Sequence, residues 1–275
     1  MADWITLHVP GTDELNVQYY FDRSVEQNAA HVWPFHVHDR LEMYVLLEGD
    51  VSFAVESSLY KLTAGDAIIS RPNEMHNCIL SSDSVHKHLC FWFDSSSEYL
   101  FGDFLAHSFG EGNLISPDED SKARLLTIYE ELYDAMRQKD VYAQHYLILQ
   151  MLGIFRRFIS TQAGSVHMPE VLKQILCDIE LNFDTINSLD YFTEKYYLSL
   201  STLSRLFKTH LHTTPKMYLE SKKLAYSRRL LKNGESVLAA CMKSGFGDYS
   251  NYIRIFKKRF GITPRQYKYG EIGRV

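Results

Sequence analysis

Cysteine and long apolar runs are scarce in this sequence of 275 residues. Its four cysteines, Cys78, Cys90, Cys177 and Cys241, lie far apart and form no Cys-x-x-Cys pair. We therefore expect reduced thiols rather than disulfides or a cysteine zinc site. No segment approaches the ~20 apolar residues that cross a membrane, so we expect no membrane partner.

The amino terminus lacks the features of a signal peptide. The first residues, Met1-Ala-Asp-Trp4, contain neither a cluster of positive charges nor an apolar core. We therefore expect a cytoplasmic protein, with about two domains for a chain of this length.

Basic residues are sparse in the first part of the chain and concentrated in the last. Residues 170–275 contain 18 Lys and Arg against 10 Asp and Glu, which leaves 11 and 24 for residues 1–169. The overall charge of −5 thus hides a basic carboxyl-terminal third and an acidic front. This division is typical of a nucleic-acid binder with a separate regulatory domain.

One stretch of the basic part occurs twice, 49 residues apart. The matched pairs are Ser201/Ser250, Arg205/Arg254, Phe207/Phe256, Lys208/Lys257, Thr214/Thr263, Pro215/Pro264 and Tyr218/Tyr267. A repeat of this length indicates one supersecondary unit used twice. In both copies the aromatic residues share a helix face with leucine or isoleucine, and the basic residues lie on the opposite face.

Each copy has the start signals of two short helices. The residues that can cap them are Ser188 and Ser199 in the first copy, and Ser236 and Asp248 in the second. Gly245 supplies a left-handed turn residue between the helices of the second copy. Two short helices joined by a tight turn predict a helix-turn-helix motif in each copy.

A longer helix is predicted between the two motifs. It starts at Thr214-Pro215 and continues to about Lys232, which gives roughly 27 Å of rigid spacer. Successive major grooves on one face of DNA are ~34 Å apart, so the spacer suits two helices in adjacent grooves. We predict double-stranded DNA as the partner; a helical protein-interaction domain with a solvated basic face is the alternative.

The second copy contains Gly245-Phe246, Tyr252, Phe256-Lys257-Lys258, Phe260-Gly261, Pro264 and Tyr267. With these motifs, residues 170–268 resemble the DNA-binding domain of the AraC/XylS family. The resemblance implies an all-helical domain with base contacts from Ser201, Ser204, Arg205, Ser250, Asn251 and Arg254. We expect Lys208, Lys257 and Lys258 to hold phosphates. In the first copy, Phe192 and His212 stand where the family usually has a small residue and Gly, which predicts a less regular helix crossing and C-cap there.

Residues 1 to about 95 are predicted to form short strands of a small barrel or sandwich. Leu41–Leu47 and Val51–Val55 are separated by Glu48-Gly49-Asp50, a turn with hairpin chemistry. A second turn, Ala64-Gly65-Asp66, precedes the apolar Ala67-Ile68-Ile69.

From Pro117 the periodicity becomes helical. One helix begins near Asp118, and a second, from about Val141 to Ile159, is apolar nearly all round. One face can pack on the barrel and leave the other for a partner, which predicts a homodimer; full burial inside one chain is the alternative. Residues 161–169 form the best linker.

Histidine and glutamate cluster in the front part. On a strand, His36, His38 and Glu42 would share one face, and His76 could complete a site from a following strand. Imidazole and carboxylate suit a divalent metal such as Zn, Fe, Mn or Ni. Trp33, Tyr44 and Arg71 are nearby and could supply a stacking face and a charge for an effector. Trp33 and Tyr44 would otherwise be barrel core.

This pattern, with Gly49, Gly65-Asp66 and Pro72, resembles the two sequence motifs of the cupin barrel, in which three His and one Glu bind metal. The second motif departs, with one extra residue before Pro72 and with Glu74 where Gly is usual. Sensor barrels of AraC/XylS-family regulators often keep such residues as a polar lining without metal. The alternatives therefore remain a metal site, an organic effector site, or both.

We predict an α+β protein with a cupin-like ligand-sensing barrel over residues 1–115 and a helical dimerisation segment over 116–160. A linker over 161–169 and an AraC-type domain with two helix-turn-helix motifs over 170–275 complete it. The family resemblance implies a non-enzymatic regulator, an activator more often than a repressor. It also implies a sugar or other small polar metabolite as effector and RNA polymerase among the partners. Two rivals are a metal-dependent cupin oxygenase or isomerase, and a sensor of the metal itself.

Overall fold

The computed structural model describes residues 5–8, 16–22, 35–38, 40–80, 86–93, 101–159 and 168–270, the first two ranges as backbone only. Two compact units divide the chain. The first comprises Met1–Trp33 with His38–His167, and the second comprises Pro34–Val37 with Met168–Val275. Among the helices of the described ranges, none has the length and apolar character needed to span a bilayer.

The first unit contains two antiparallel sheets. Its described strands are β1 (Ile5–His8), β2 (Asn16–Asp22), β3 (Leu41–Glu48), β4 (Val51–Val55), β5 (Ser58–Lys61), β6 (Ala67–Ser70), β7 (His76–Leu80), β8 (Lys87–Phe93) and β9 (Leu114–Ile115). The larger sheet has the order β1-β2-β8-β3-β6-β9, and the smaller has the order β5-β4-β7. The predicted α+β class is confirmed, with strands and three helices in the described part of this unit and a helical second unit.

Side-chain alternation gives the larger sheet two buried faces. Tyr44 of β3 and Cys90 of β8 share one cluster with Phe53 of the smaller sheet. The intervening Met43 and Phe91 point the other way, into a cluster with three helices. These helices are α1 (Gly102–Leu105), α2 (Glu119–Gln138) and α3 (Val141–Arg156). The cluster between the two sheets is therefore one of two buried clusters in the described part of the first unit.

The hairpin predicted across Glu48-Gly49-Asp50 is wrong. Strands β3 and β4 are both present, but β3 pairs with β6 and β8, whereas β4 pairs with β5 and β7. The connection crosses from one sheet to the other. The turn residues bend the chain as expected. The partners of β3 depend on the burial of both of its faces, and the residues of a local turn do not indicate that burial.

The strand expected to place residues 36–42 on one face is also wrong over most of its length, because β3 begins only at Leu41. Residue 39 lies outside the described residues. Trp33 does too, so its predicted role stays a prediction. So does most of the predicted linker; its last residue, Pro169, is the N-cap of the next helix.

Helix α3 packs on the sheet with one face only. Leu147, Met151 and Phe155 are buried, whereas Tyr142 and Tyr146 are 87% and 65% exposed. Full burial of this helix inside one chain is therefore wrong. The acidic start of α2 is confirmed, since the Asp118 side chain accepts a hydrogen bond from the backbone N–H of Ser121.

The second unit is helical in its described residues. Its helices are α4 (Glu170–Asn182), α5 (Asp190–Lys195), α6 (Leu200–Leu211), α7 (Pro215–Lys232), α8 (Val237–Lys243), α9 (Tyr249–Phe260) and α10 (Pro264–Lys268). The buried carboxylate of Asp178 joins α4 to the first helix-turn-helix motif. It accepts hydrogen bonds from Lys195 Nζ (2.8 Å) and from the hydroxyls of Tyr191 and Tyr196.

Three of the four predicted N-caps are confirmed. The side chains of Ser199, Ser236 and Asp248 each accept a backbone N–H of the first turn of their helix. The cap at Ser188 is wrong: Leu189 is the N-cap of α5, and the Ser188 hydroxyl accepts the N–H of Asp190 instead.

The C-cap of α6 differs from that of α9, as expected. His212 takes the left-handed conformation (φ 50°) that a C-cap glycine usually provides, but its N–H donates to the Phe207 carbonyl oxygen, five residues back, whereas Gly261 of α9 donates to the Lys257 carbonyl oxygen, four residues back. Phe192 is fully buried in the same motif.

Candidate nucleic-acid interface and ligand site

Helix α6 presents a polar face opposite its core face. Leu203, Phe207 and Leu211 are buried, while Ser201, Arg205 and Lys208 are exposed and Ser204 is half-buried. The Ser199 cap fixes the first turn, so Ser201 lies at the start of the helix. The structure thus places the four residues predicted for the first copy on the solvent side of one helix.

Helix α9 repeats the arrangement. Tyr252 and Phe256 are buried, and the predicted contact residues are exposed or half-buried; these are Ser250, Asn251, Arg254, Lys257 and Lys258. Arg254 Nη2 donates a hydrogen bond to Asn251 Oδ1 (2.7 Å). The two side chains therefore form one hydrogen-bonded pair on the exposed face. A serine, an arginine and one or two lysines on one exposed helix face match the donors that bind base edges and phosphates.

In the first unit, two imidazoles converge on Glu42. His38 Nε2 lies 2.9 Å from Glu42 Oε2, and His76 Nε2 lies 3.7 Å from Glu42 Oε1. The two imidazole rings meet edge to face, with centroids 4.8 Å apart. The predicted approach of these three side chains is present although the strand proposed to cause it is not. His36 falls in the segment that groups with the second unit, so its part in the set stays a prediction.

The backbone fixes the tautomer of both imidazoles. Nδ1 of His38 lies 2.9 Å from the carbonyl oxygen of Arg40, and Nδ1 of His76 lies 2.9 Å from that of Glu74. A carbonyl can only accept, so each Nδ1 is protonated and each neutral ring turns an Nε2 acceptor toward Glu42. At 2.9 Å, His38 Nε2 and Glu42 Oε2 share a proton or a bound cation, whereas His76 Nε2, at 3.7 Å, lies beyond hydrogen-bond distance.

Three further residues line the same cluster and were missed from the sequence. Strand register pairs Glu42 with Trp92, Tyr44 with Cys90 and Leu46 with His88, so the β8 partners share the inter-sheet side. Trp92 Nε1 donates to Glu42 Oε2. Residues 88, 90 and 92 lie on one face of β8 because side chains alternate along a strand. The sequence alone does not show that this face adjoins Glu42, since that depends on the pairing of β8 with β3.

The lining continues with the phenol of Tyr44, the imidazoles of His86 and His88, and the thiol of Cys78. The Tyr44 hydroxyl lies 2.6 Å from His86 Nε2, and its ring stacks on that of His88 at 4.9 Å between centroids. The Cys78 thiol donates to the Tyr44 hydroxyl. Burial raises the pKa of Cys78 to about 12, so this thiol is a neutral donor and not a nucleophile.

Arg71 is placed differently from the other predicted effector contacts. Its side chain is 3% exposed, Nη1 donates to Glu74 Oε1 (2.8 Å), and Nη2 donates to the carbonyl oxygens of Phe104 and Glu111. Burial raises the pKa of the Glu74 carboxyl, and the Arg71 guanidinium opposes that rise. The charge of Arg71 is therefore compensated inside the unit, and its contact with an effector stays a prediction.

The comparisons with known proteins match both units. A family profile described as AraC-like ligand binding domain matches residues 18–143, and one described as helix-turn-helix domain matches residues 192–269. The "HTH-type transcriptional activator RhaS" of Salmonella schwarzengrund is 24% identical over 246 residues, covering 86% of this chain and 88% of that protein. The protein of the same name from Salmonella arizonae is 25% identical over an equal span.

Among solved structures, ToxT from Vibrio cholerae O395 aligns with 96% of this chain and 100% of its own, at 14% identity and a TM-score of 0.39. The two family profiles and the activators that match along most of the chain agree with the duplicated motif described above. The chain belongs to the AraC family of transcription regulators, with a ligand-binding domain followed by a helix-turn-helix DNA-binding domain.

Proposed function

We propose that the protein activates transcription by binding operator DNA with α6 and α9 and by responding to a small polar molecule held between its two sheets. The observation that most supports the DNA contact is the exposed Ser, Arg and Lys at matched positions of two capped helices. Ser201, Ser204, Arg205, Ser250, Asn251 and Arg254 would meet bases, and Lys208, Lys257 and Lys258 would meet phosphates. Action on chromosomal DNA implies a cytoplasmic location. The activator relatives support RNA polymerase as a further partner and a role without catalysis.

Arg254→Ala is expected to weaken specific binding by about 1–3 kcal/mol and to relax base preference at one position of the site. The reason is that an exposed guanidinium can donate twice to guanine in the major groove. The measurement is selection of genome fragments by the purified full-length protein at fixed salt, followed by titration of the recovered site.

Lys258→Ala is the matched control for that experiment. It removes an exposed cation of the same helix, so it should lower affinity for all sequences evenly and flatten the salt dependence. If Arg254→Ala behaved in the same way as Lys258→Ala, the assignment of α9 to the groove would be wrong.

For the effector, we propose a neutral polyhydroxy compound such as a sugar. The Glu42 carboxylate and the imidazole acceptors suit hydroxyl donors, and the half-buried Trp92 ring offers a face for the apolar side of a sugar ring, whereas the buried Tyr44 ring is already stacked on His88. A ligand carboxylate would be repelled by Glu42, and the guanidinium of Arg71 pairs with Glu74. Such a ligand acts by binding the activating form better than the other form.

A divalent metal is the second candidate for this site. Metal-binding histidines commonly donate the second ring N–H to a carbonyl, as His38 and His76 do here. With the Glu42 carboxylate these two nitrogens form a ligand set that suits Zn, Fe, Mn or Ni. The metal would then hold effector oxygens, or would itself be the signal.

One experiment separates the two candidates. The chelator-treated full-length protein is titrated with each metal and with neutral sugars and sugar acids, and its melting temperature is followed. A neutral sugar is expected to raise it without metal and Glu42→Gln to abolish the effect, whereas Glu48→Gln, at an exposed carboxylate, leaves it unchanged. Stabilisation only by sugar acids would contradict a neutral effector. Stoichiometric metal with oxygen consumption would favour a cupin enzyme.

We also propose a homodimer formed through α3. Its exposed Tyr142, Tyr146 and Leu149 recur at helical spacing on the face turned away from the sheet. Sedimentation of the full chain is expected to give a dimer, and a monomer at micromolar concentration would contradict this contact.

A further inference from the structure

One buried lysine joins the two helix-turn-helix motifs. Lys223 lies in the middle of α7 and is 8% exposed. Its ammonium donates hydrogen bonds to the carbonyl oxygen of Ile186 (2.8 Å) and to that of Gly245 (2.7 Å). Ile186 precedes the first helix of the first motif, and Gly245 is in the turn of the second. A single cation thus binds one backbone carbonyl of the segment that leads into the first motif and one of the second motif.

The environment of this ammonium shows that the contact is specific. Burial lowers the pKa of Lys223, because the charged form loses solvent in this position. A buried cation is tolerated only where acceptors replace its water, and the two carbonyl oxygens do so here. Most lysines extend into solvent, so the position of Lys223 depends on both motifs being in place.

A second observation locates the same junction independently. A Cβ built on Gly245 would lie 2.1 Å from the carbonyl oxygen of Asp184. The turn of the second motif therefore touches the backbone of the segment that leads into the first motif. The two motifs meet directly at this point, in addition to being joined through the α7 helix.

We propose that Lys223 is a positioning residue that fixes the separation and angle of α6 and α9, and thereby sets the spacing between the two base blocks that the protein accepts. This inference rests on the proposed DNA contact of those helices. An 18-residue helix alone sets a distance. The angle between each motif and α7 then depends only on how that motif packs on the helix. The ammonium bridge with the backbone contact at Gly245 removes that freedom.

The neighbouring lysine provides a matched control. Lys222 is equally buried and lies on the same helix, but its ammonium pairs with Glu180 of α4. That contact joins α7 to α4, which precedes the first motif. Lys222→Met removes the same charge from the same helix without touching the contact to Gly245.

The test uses the full-length protein and a library in which the two base blocks are separated by spacers of different length. The affinity of the wild type is expected to be about tenfold higher for one spacing than for spacings one base pair longer or shorter. This is about the affinity that one mismatched base pair costs. Lys223→Met is expected to reduce that preference to about twofold, because the angle between the helices is no longer held. Lys223→Arg, which keeps the donors, should restore much of it, and Lys222→Met should retain the wild-type profile.

Two results would overturn the inference. Specific binding by Lys223→Met with an unchanged spacing profile would show that the lysine only stabilises the fold. Absence of any sequence preference in wild type would instead refute the DNA-binding proposal itself, and this inference with it. If Lys223→Met fails to fold by circular dichroism, Lys223→Gln, which keeps one donor group, is measured in the same library with the same two outcomes.

Discussion

Gly245→Ala is expected to destabilise the DNA-binding unit by about 3 kcal/mol or more, because it combines backbone strain with a steric clash. Gly245 has φ +74°, a conformation that costs an L residue about 1–2 kcal/mol. Its added Cβ would also meet the carbonyl oxygen, carbon and Cα of Asp184 at 2.1, 2.6 and 2.7 Å. These are backbone atoms, so no side-chain rotation can relieve the overlap.

Gly234→Ala separates the two causes. Gly234 has φ +88°, but a Cβ built there has no atom within 4 Å, so only the conformational cost of about 1–2 kcal/mol applies. Scanning calorimetry of the full-length variants, with hydrogen exchange of α7, α8 and α9 to assign the transition, measures both. Equal losses for the two variants would mean that the turn of the second motif does not rest on Asp184. DNA affinity should fall for Gly245→Ala and stay near wild type for Gly234→Ala.

Local signals in the sequence predicted the DNA-binding unit well. The residues 215–232 helix and the caps at Ser199, Ser236 and Asp248 depend on neighbours within one turn. Short-range hydrogen bonds of this kind are readable from a few consecutive residues. The exposed faces of α6 and α9 followed from the same periodicity. His212 shows the limit of this reading, since a non-glycine residue adopts the left-handed cap conformation.

The sensor unit was less predictable because its contacts are non-local. The sequence indicated β3 and β4 but could not show that each joins a different sheet. The pairing of β3 with β8 brings Trp92 next to Glu42, which is 50 residues away along the chain. The tautomers of His38 and His76 depend on carbonyl groups whose direction no residue pattern encodes. Lys223 would equally pass for a solvated residue of a basic helix.

Arg71 shows how a charge near a motif becomes part of an internal ion pair. From its position it could supply a charge for an effector, and the fold surrounds it with Glu74 and two carbonyl oxygens. Glu74 was noticed only as a departure from the cupin pattern. The two unusual features explain each other, because each charge would be costly to bury without its partner.

Glu74→Gln is accordingly expected to cost about 3–5 kcal/mol of stability in the sensor unit, the penalty for removing one partner of a buried ion pair. Glu74 is fully buried, and both of its oxygens accept N–H donors. Oε1 accepts from Arg71 Nη1 and Gly110 N, and Oε2 accepts from Arg71 N and Asn113 Nδ2. A glutamine must turn its NH2 group toward two of these donors, and it leaves the guanidinium unpaired.

The control is the same change at an exposed pair. Asp50 pairs with Lys61 with both side chains about half exposed, so Asp50→Asn should cost less than about 1 kcal/mol. A double-mutant cycle with Arg71→Met tests the cause: removing the guanidinium as well should return part of the lost stability, because no unpaired charge is then buried. Calorimetry of the four proteins gives the coupling energy. If Arg71→Met and Glu74→Gln were simply additive, the loss would come from the hydrogen bonds to Gly110 and Asn113, which hold the segment before β9 against the sheet, and not from the ion pair.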